Sequence, residues 1–223
     1  MLTRSLVLAL SGPLLAHEAL LRAASSYGAR TVQLGVSDEP VAAGLRLTVL
    51  DPPVDAFVVV TGDDVDGTGL AAALTDLGQV VRGWWAETAE PLPPREVPDG
   101  ERLDALANVA VLRRPADQSE EEWVRFWKDF HTRVAIETQG SFGYVQHRVL
   151  EPLPGSPEVA AVVEEHFPMA GLVDLHAFYG SGGDDAELGR RLERLMESVS
   201  RLGADRDLDL VPTSRYRWTL AQP

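Results

Sequence analysis

The stretch FWKDFHTRV, residues 126–134, sets one histidine among aromatic residues. An imidazole titrates near neutral pH, so His131 could give or take a proton in a pocket. A histidine at a helix edge can also simply hydrogen-bond a carbonyl. Two more ionisable residues sit in LVDLHAF, residues 172–178. Read as a strand, it puts Leu172, Asp174, His176 and Phe178 on one face and Val173, Leu175 and Ala177 on the other. In GYVQHRV, residues 143–149, the same alternation separates Tyr144, Gln146 and Arg148 from Val145 and Val149. Seating the valines under helices places Tyr144 and Gln146 on the same face as Asp174 and His176. Polar groups on a buried face need partners or a wet cavity, so this set reads as a small-molecule pocket. The catalytic candidates are His131, Asp174 and His176. The substrate-binding candidates are Tyr144, Gln146, Trp127, Phe178 and Arg215. A satisfied polar network inside a barrel, without chemistry, is the competing reading.

Other chemistries find less support. The chain has 223 residues and a formal net charge of −14, which disfavours nucleic acid and anionic membrane surfaces as partners. It has no cysteine, so disulfides and thiolate chemistry are excluded. Its five histidines show no close ligand spacing, and neither a metal site nor a cofactor is expected. TGDDVDGTG (61–69) and GSGGDD (180–185) are glycine-rich but acidic, which suits helix-capping turns better than a phosphate cradle. No Gly-x-Ser-x-Gly nucleophile elbow occurs. The N-terminal MLTRSLVLALSGPLLAHEA loosely suggests a secretory leader, but Gly12-Pro13 interrupts it. SLVLAL is better read as a first strand, and a cytoplasmic location is expected.

The elements that must position these residues share two similar plans. GARTVQLGVSDEP (28–40) parallels GSFGYVQHRVLEP (140–152), and VDAFVVVTGDD (54–64) parallels VDLHAFYGSGGDD (173–185). RGWWAETAEP (82–91) and YRWTLAQP (216–223) each close a half. In the second half NVAVLRR is strand-like, and SEEEWVRFWKDFHTRVAIETQ is a helix opened by a Ser119/Glu122 capping box and ended at Gly140. Its apolar stripe is Trp123, Phe126, Trp127, Phe130 and Val134. Strands at 141–150 and 171–179, a helix at 185–202 and a last strand near 214–220 complete a β-α-β-β-α-β order. The segment 150–170 reads as a long excursion with a short helix, PEVAAVVEEHF. The expected fold class is α+β: two tandem ferredoxin-like units, residues 1–92 and 107–223, joined by a proline-rich linker at 93–106. A sheet with both helices on one face must bury its other face, so the units are expected to pack sheet to sheet as a barrel.

The arginine-rich LRRPADQSEEEWVRFWKDFHTRVA, with GYVQHRV and GLVDLHAF, resembles the EthD family of the dimeric α+β barrel superfamily. The resemblance covers about residues 108–220, and the first half looks like a degenerate copy. It implies a small hydrophobic, often aromatic or polyketide-like ligand, with His131 and Asp174 at the family's helix-histidine and acidic positions. Thr132-Arg133 replaces the Ala-Pro that often follows that histidine. The implied function is a cofactor-free lyase, cyclase or isomerase using acid/base catalysis. A non-catalytic ligand-binding barrel and a cofactor-free monooxygenase are the alternatives, and a haem-binding relative is a further one. Members usually dimerise, so a duplicated chain would be a monomeric pseudo-dimer, or a homodimer.

Overall fold

The computed structural model describes residues 2–221. The last two residues of the closing motif at 216–223 lie outside the described residues. The first half runs β1 (Thr3–Ser11), α1 (His17–Ser26), β2 (Thr31–Val36), β3 (Ala56–Thr61), α2 (Gly67–Asp76) and β4 (Val80–Leu92). The second runs β5 (Leu106–Leu112), α3 (Glu120–Phe126), a π-turn (Trp127–His131), α4 (Thr132–Thr138), β6 (Gly143–Pro152), β7 (Ala161–Phe167), α5 (Leu175–Tyr179), α6 (Asp185–Leu202) and β8 (Asp209–Thr219). Eight antiparallel strands close a barrel in the order β1-β3-β2-β8-β5-β7-β6-β4. The halves meet at two seams, β2 with β8 and β4 with β6. Among the described residues, closure leaves no sheet edge free to pair elsewhere.

Each strand therefore has one face toward the barrel interior and one toward the helices. In the first half Leu6, Leu8, Val32, Leu34, Val58 and Val60 face α1 and α2 as a continuous aliphatic core. In the second, Ala110, Leu112, Tyr144 and Val163 face Trp123, Trp127, Leu195 and Leu202. One end of the barrel interior is apolar, built from Val7, Phe57, Trp84, Val109, Val162 and Val211.

The expected strand at 171–179 is not a strand. Residues Met169–Leu172 form a 3-10 turn and Leu175–Tyr179 the short α5. The third strand of this half is instead β7, inside the segment expected to be an excursion with a short helix. AVVEEHF is a short run whose apolar and charged residues satisfy either period, and its partners decide the outcome. Here β5 and β6 flank it on both sides. The parallel drawn between 54–64 and 173–185 fails for the same reason.

The helix expected at 119–139 is present, with its Ser119/Glu122 capping box, but it is interrupted by the π-turn. A π-turn holds an extra residue per turn and so rotates the helix beyond it. Phe130 consequently points outward, 43% exposed, while His131 takes the buried face at 8%.

Candidate functional site

The wall of the candidate site is one row across three strands. Tyr144 on β6 is register-paired with Glu165 on β7, and Glu165 with Asn108 on β5. All three face the helices and line a cavity of about 330 Å³ between the sheet and the α4–α6 layer. The rest of the lining is largely apolar, including Leu106, Leu112, Val163 and Leu202. His131 enters from the helix side, and its Nδ1 lies 2.9 Å from Ser198 Oγ on α6. Leu172, Leu175, Phe178 and Tyr179 cover the cavity. Gly44 and Leu45, from the first half, complete the rim.

Burial sets the acid strengths here. With little solvation of the charged form, Glu165 is pushed up to about 7, so at neutral pH both its protonation states are populated. Burial pushes the Tyr144 hydroxyl well up, and the Glu165 charge adds to this, while Trp127 and Thr132 draw it back down. Tyr144 is therefore a hydrogen-bond donor across the working pH range. Burial lowers His131 to about 4, so its imidazole is neutral near pH 7. Depending on its tautomer, a neutral imidazole bonded through Nδ1 to Ser198 can donate or accept at its other nitrogen. A carboxyl poised near neutrality beside two fixed polar groups, in an apolar chamber, suits proton transfer to or from a weakly acidic ligand.

The sequence candidates separate into three groups. His131, Tyr144 and Phe178 line this cavity, and Trp127 packs behind Tyr144, fully buried against Trp123. Gln146 faces the helices too, but it is bonded to Thr132 rather than open to the cavity. Its expected orientation into the barrel is corrected, as is that of Tyr144. Val145 and His147 take the interior instead. On the helix side Tyr144 packs into the layer formed by Trp123 and Trp127.

Asp174 and His176 are not cavity residues. Asp174 is exposed and caps α5 by accepting from the His176 amide at 2.8 Å. His176 Nδ1 lies 2.6 Å from Ser181 Oγ and its Nε2 3.3 Å from Asp185. Both residues shape the cover rather than the wall, because their segment is a turn and short helix.

Arg215 lies inside the barrel. Its Nε is 2.8 Å from a Glu164 oxygen, and its Nη2 donates to Gln33 Oε1 at 2.7 Å. Glu164 is also bonded to His166 Nε2 and to Gln33 Nε2. Burial would raise Glu164, but Arg215 and His166 hold it down, to about 2. This network floors a chamber of about 700 Å³ at the polar end of the barrel, under residues 93–99 of the linker. The carboxylate is committed to a cation, so it is a poor proton-transfer group.

Glu165 and Asn108 were not among the sequence candidates. The available signal was Glu164-Glu165 inside an apolar run: on a strand, two adjacent carboxylates point to opposite faces, so one enters the barrel, where Glu164 is buried, and the other meets the helix layer, where Glu165 is half-buried on the cavity wall. Reading the run as a helix hides that consequence.

No family model matches this chain, and no curated protein matches it. Among solved structures, an anthrone oxidase-like protein superposes with a TM-score of 0.58 at 13% identity, covering 97% of this chain and 93% of that one. A candidate monooxygenase from Lactobacillus acidophilus gives 0.46 at 11% identity, with coverages of 96% and 94%. Another, from Fusobacterium nucleatum, gives 0.48 at 7%, with coverages of 100% and 95%. The first of these likenesses shows that this chain shares that protein's fold, here with the barrel closed within one polypeptide.

Proposed function

We propose that this chain is a cofactor-free enzyme that moves a proton on a small hydrophobic, carbonyl-activated compound, aromatic or polyketide-like, held in the helix-side cavity of the second half. The observation that carries this reading is Glu165: a half-buried carboxyl lining the cavity and pushed up to about 7, register-paired with Tyr144 and Asn108 on a largely apolar wall. In its ionised form Glu165 takes a proton from the carbon beside the carbonyl. Tyr144 donates a hydrogen bond to the developing enolate oxygen. Protonated Glu165 then returns the proton, and His131, neutral and held by Ser198, hydrogen-bonds the ligand through its other nitrogen. Lyase, cyclase and isomerase outcomes all begin with this step.

Oxygenation is a second reading, and the likeness to an anthrone oxidase-like protein favours it. The carbanion would react with dioxygen, the CH2 becoming C=O as one oxygen atom enters the product and the other leaves as water. Under either reading, residues 1–92 and 107–223 act as tandem ferredoxin-like units joined by 93–106, the second EthD-like, and the chain works as a monomeric pseudo-dimer or as a homodimer.

The test is proton exchange. Anthrone, 1-tetralone and a cyclic 1,3-diketone are incubated with the protein in deuterated buffer, and loss of the activated C–H signal is tracked by NMR with oxygen uptake in parallel. Enzyme-dependent exchange that falls about 100-fold or more in Glu165→Gln is expected. Exchange at the buffer rate for all three compounds, or an unchanged rate in Glu165→Gln, would sink the proposal.

A further inference from the structure

The helix that carries His131 is held out of regular α geometry at one point, and the residues that hold it there are identifiable. Within the π-turn the Trp127 carbonyl accepts from the Thr132 backbone N–H, five residues on. The same carbonyl accepts a second bond, 2.8 Å, from Thr132 Oγ1. Having donated its hydrogen, that hydroxyl accepts from Gln146 Nε2 at 2.6 Å. Gln146 lies on β6, two residues from Tyr144. The π-turn is thus tied to the strand that carries the cavity's tyrosine. Thr132 is 5% exposed and Gln146 3%, so water cannot easily replace either bond.

An ordinary α-helix would turn the residues after Trp127 further round. Phe130, which falls on the apolar stripe at α spacing, would rotate inward, and His131 would leave the Ser198 hydroxyl and the cavity wall. A π-turn is the costlier geometry and persists only where something compensates for it. The double bond to one carbonyl and the brace from β6 provide that compensation.

We infer that Thr132, braced by Gln146, is a positioning residue: its hydroxyl locks the π-turn so that His131 faces the cavity instead of solvent. The inference rests on the proposed role of the cavity for its functional meaning, but its test does not.

The experiment is NMR of the full chain with 15N-labelled histidine, on wild type, Thr132→Val, Thr132→Ser and Gln146→Leu, each checked for folding by its amide spectrum. Wild-type His131 should stay neutral down to about pH 4. In Thr132→Val and Gln146→Leu the imidazole should titrate higher, toward its ordinary 6.5. Thr132→Ser, which keeps the hydroxyl, should retain the wild-type titration. If Thr132→Val does not fold, Gln146→Leu carries the test alone. A folded Thr132→Val or Gln146→Leu in which His131 titrates as in wild type overturns the inference, as does a Thr132→Ser that behaves like the valine variant. Proton exchange separates the two readings. Loss of exchange with unchanged KM in Thr132→Val supports both. A shifted His131 titration in a protein that shows no exchange leaves the positioning role intact and removes the proposed reaction.

Discussion

The two sheets carry the same strand order and present opposite chemistry to their helices. In the first half the rows facing α1 and α2 are Val32–Val60–Leu6 and Leu34–Val58–Leu8, all fully or nearly fully buried. In the second, the row Tyr144–Glu165–Asn108 faces a cavity. A cavity does exist in the first half, about 190 Å³ near Leu10, Leu15 and Leu34, and its polar side chains are Ser37, Asp38, Asp55 and Gln79. Identical topology can be closed as core or left open as a site. What decides is whether the central row is aliphatic and meets the helices, or polar and held away from them by larger neighbours. The first half is still not idle, since Gly44 and Leu45 close the rim of the second half's cavity.

The comparison is broken most severely by moving a carboxyl across it. Val60→Glu should bury a charge in a packed aliphatic core, costing ~4 kcal/mol or more and showing as loss of cooperative unfolding in denaturant. Leu8→Ala in the same core should cost ~2–5 kcal/mol by chemical denaturation.

The next test runs in the other direction. Glu165 has a folded acidity raised from 4.5 to about 7, so its protonated form stabilises the fold below about 4.5 and that contribution is lost as pH rises through 7. Glu165→Gln lacks this loss. It should gain on wild type across that window, by on the order of 3 kcal/mol at pH 8 and above, seen as a Tm difference that grows with pH. A difference constant from pH 4.5 to 8 would mean that Glu165 is an ordinary surface-like carboxyl. The smallest effect is expected at the cavity's cover: Leu172→Ala should cost about 1 kcal/mol, because Leu172 is only half-buried and lines the cavity on one side. Equal losses for Leu172→Ala and Leu8→Ala would erase the distinction between site and core.

Much of this is legible in the residues alone, and the gaps have physical causes. The Ser119 capping box, the Trp123 and Trp127 stripe and the amphipathic α6 depend on local spacing, and these elements form where the spacing predicts them. His131, Tyr144 and Phe178 are sequence candidates that line the cavity. Asp174 and His176 read as strand residues because LVDLHAF alternates, but the sheet takes its third strand from 161–167. Gln146 and Arg215, expected in one pocket, lie on opposite sides of the sheet wall.

Sequence alone determined most of the local strands and helices and the polarity of each segment, since backbone preference and apolar period act over a few residues. Tertiary structure decided which face of β6 and β7 meets the helices, where the third strand lies and that the helix carries a π-turn. Those outcomes depend on pairing energies and on the width of gaps between distant segments. A one-residue change of phase exchanges every inward side chain for its neighbour, and nothing local resists it.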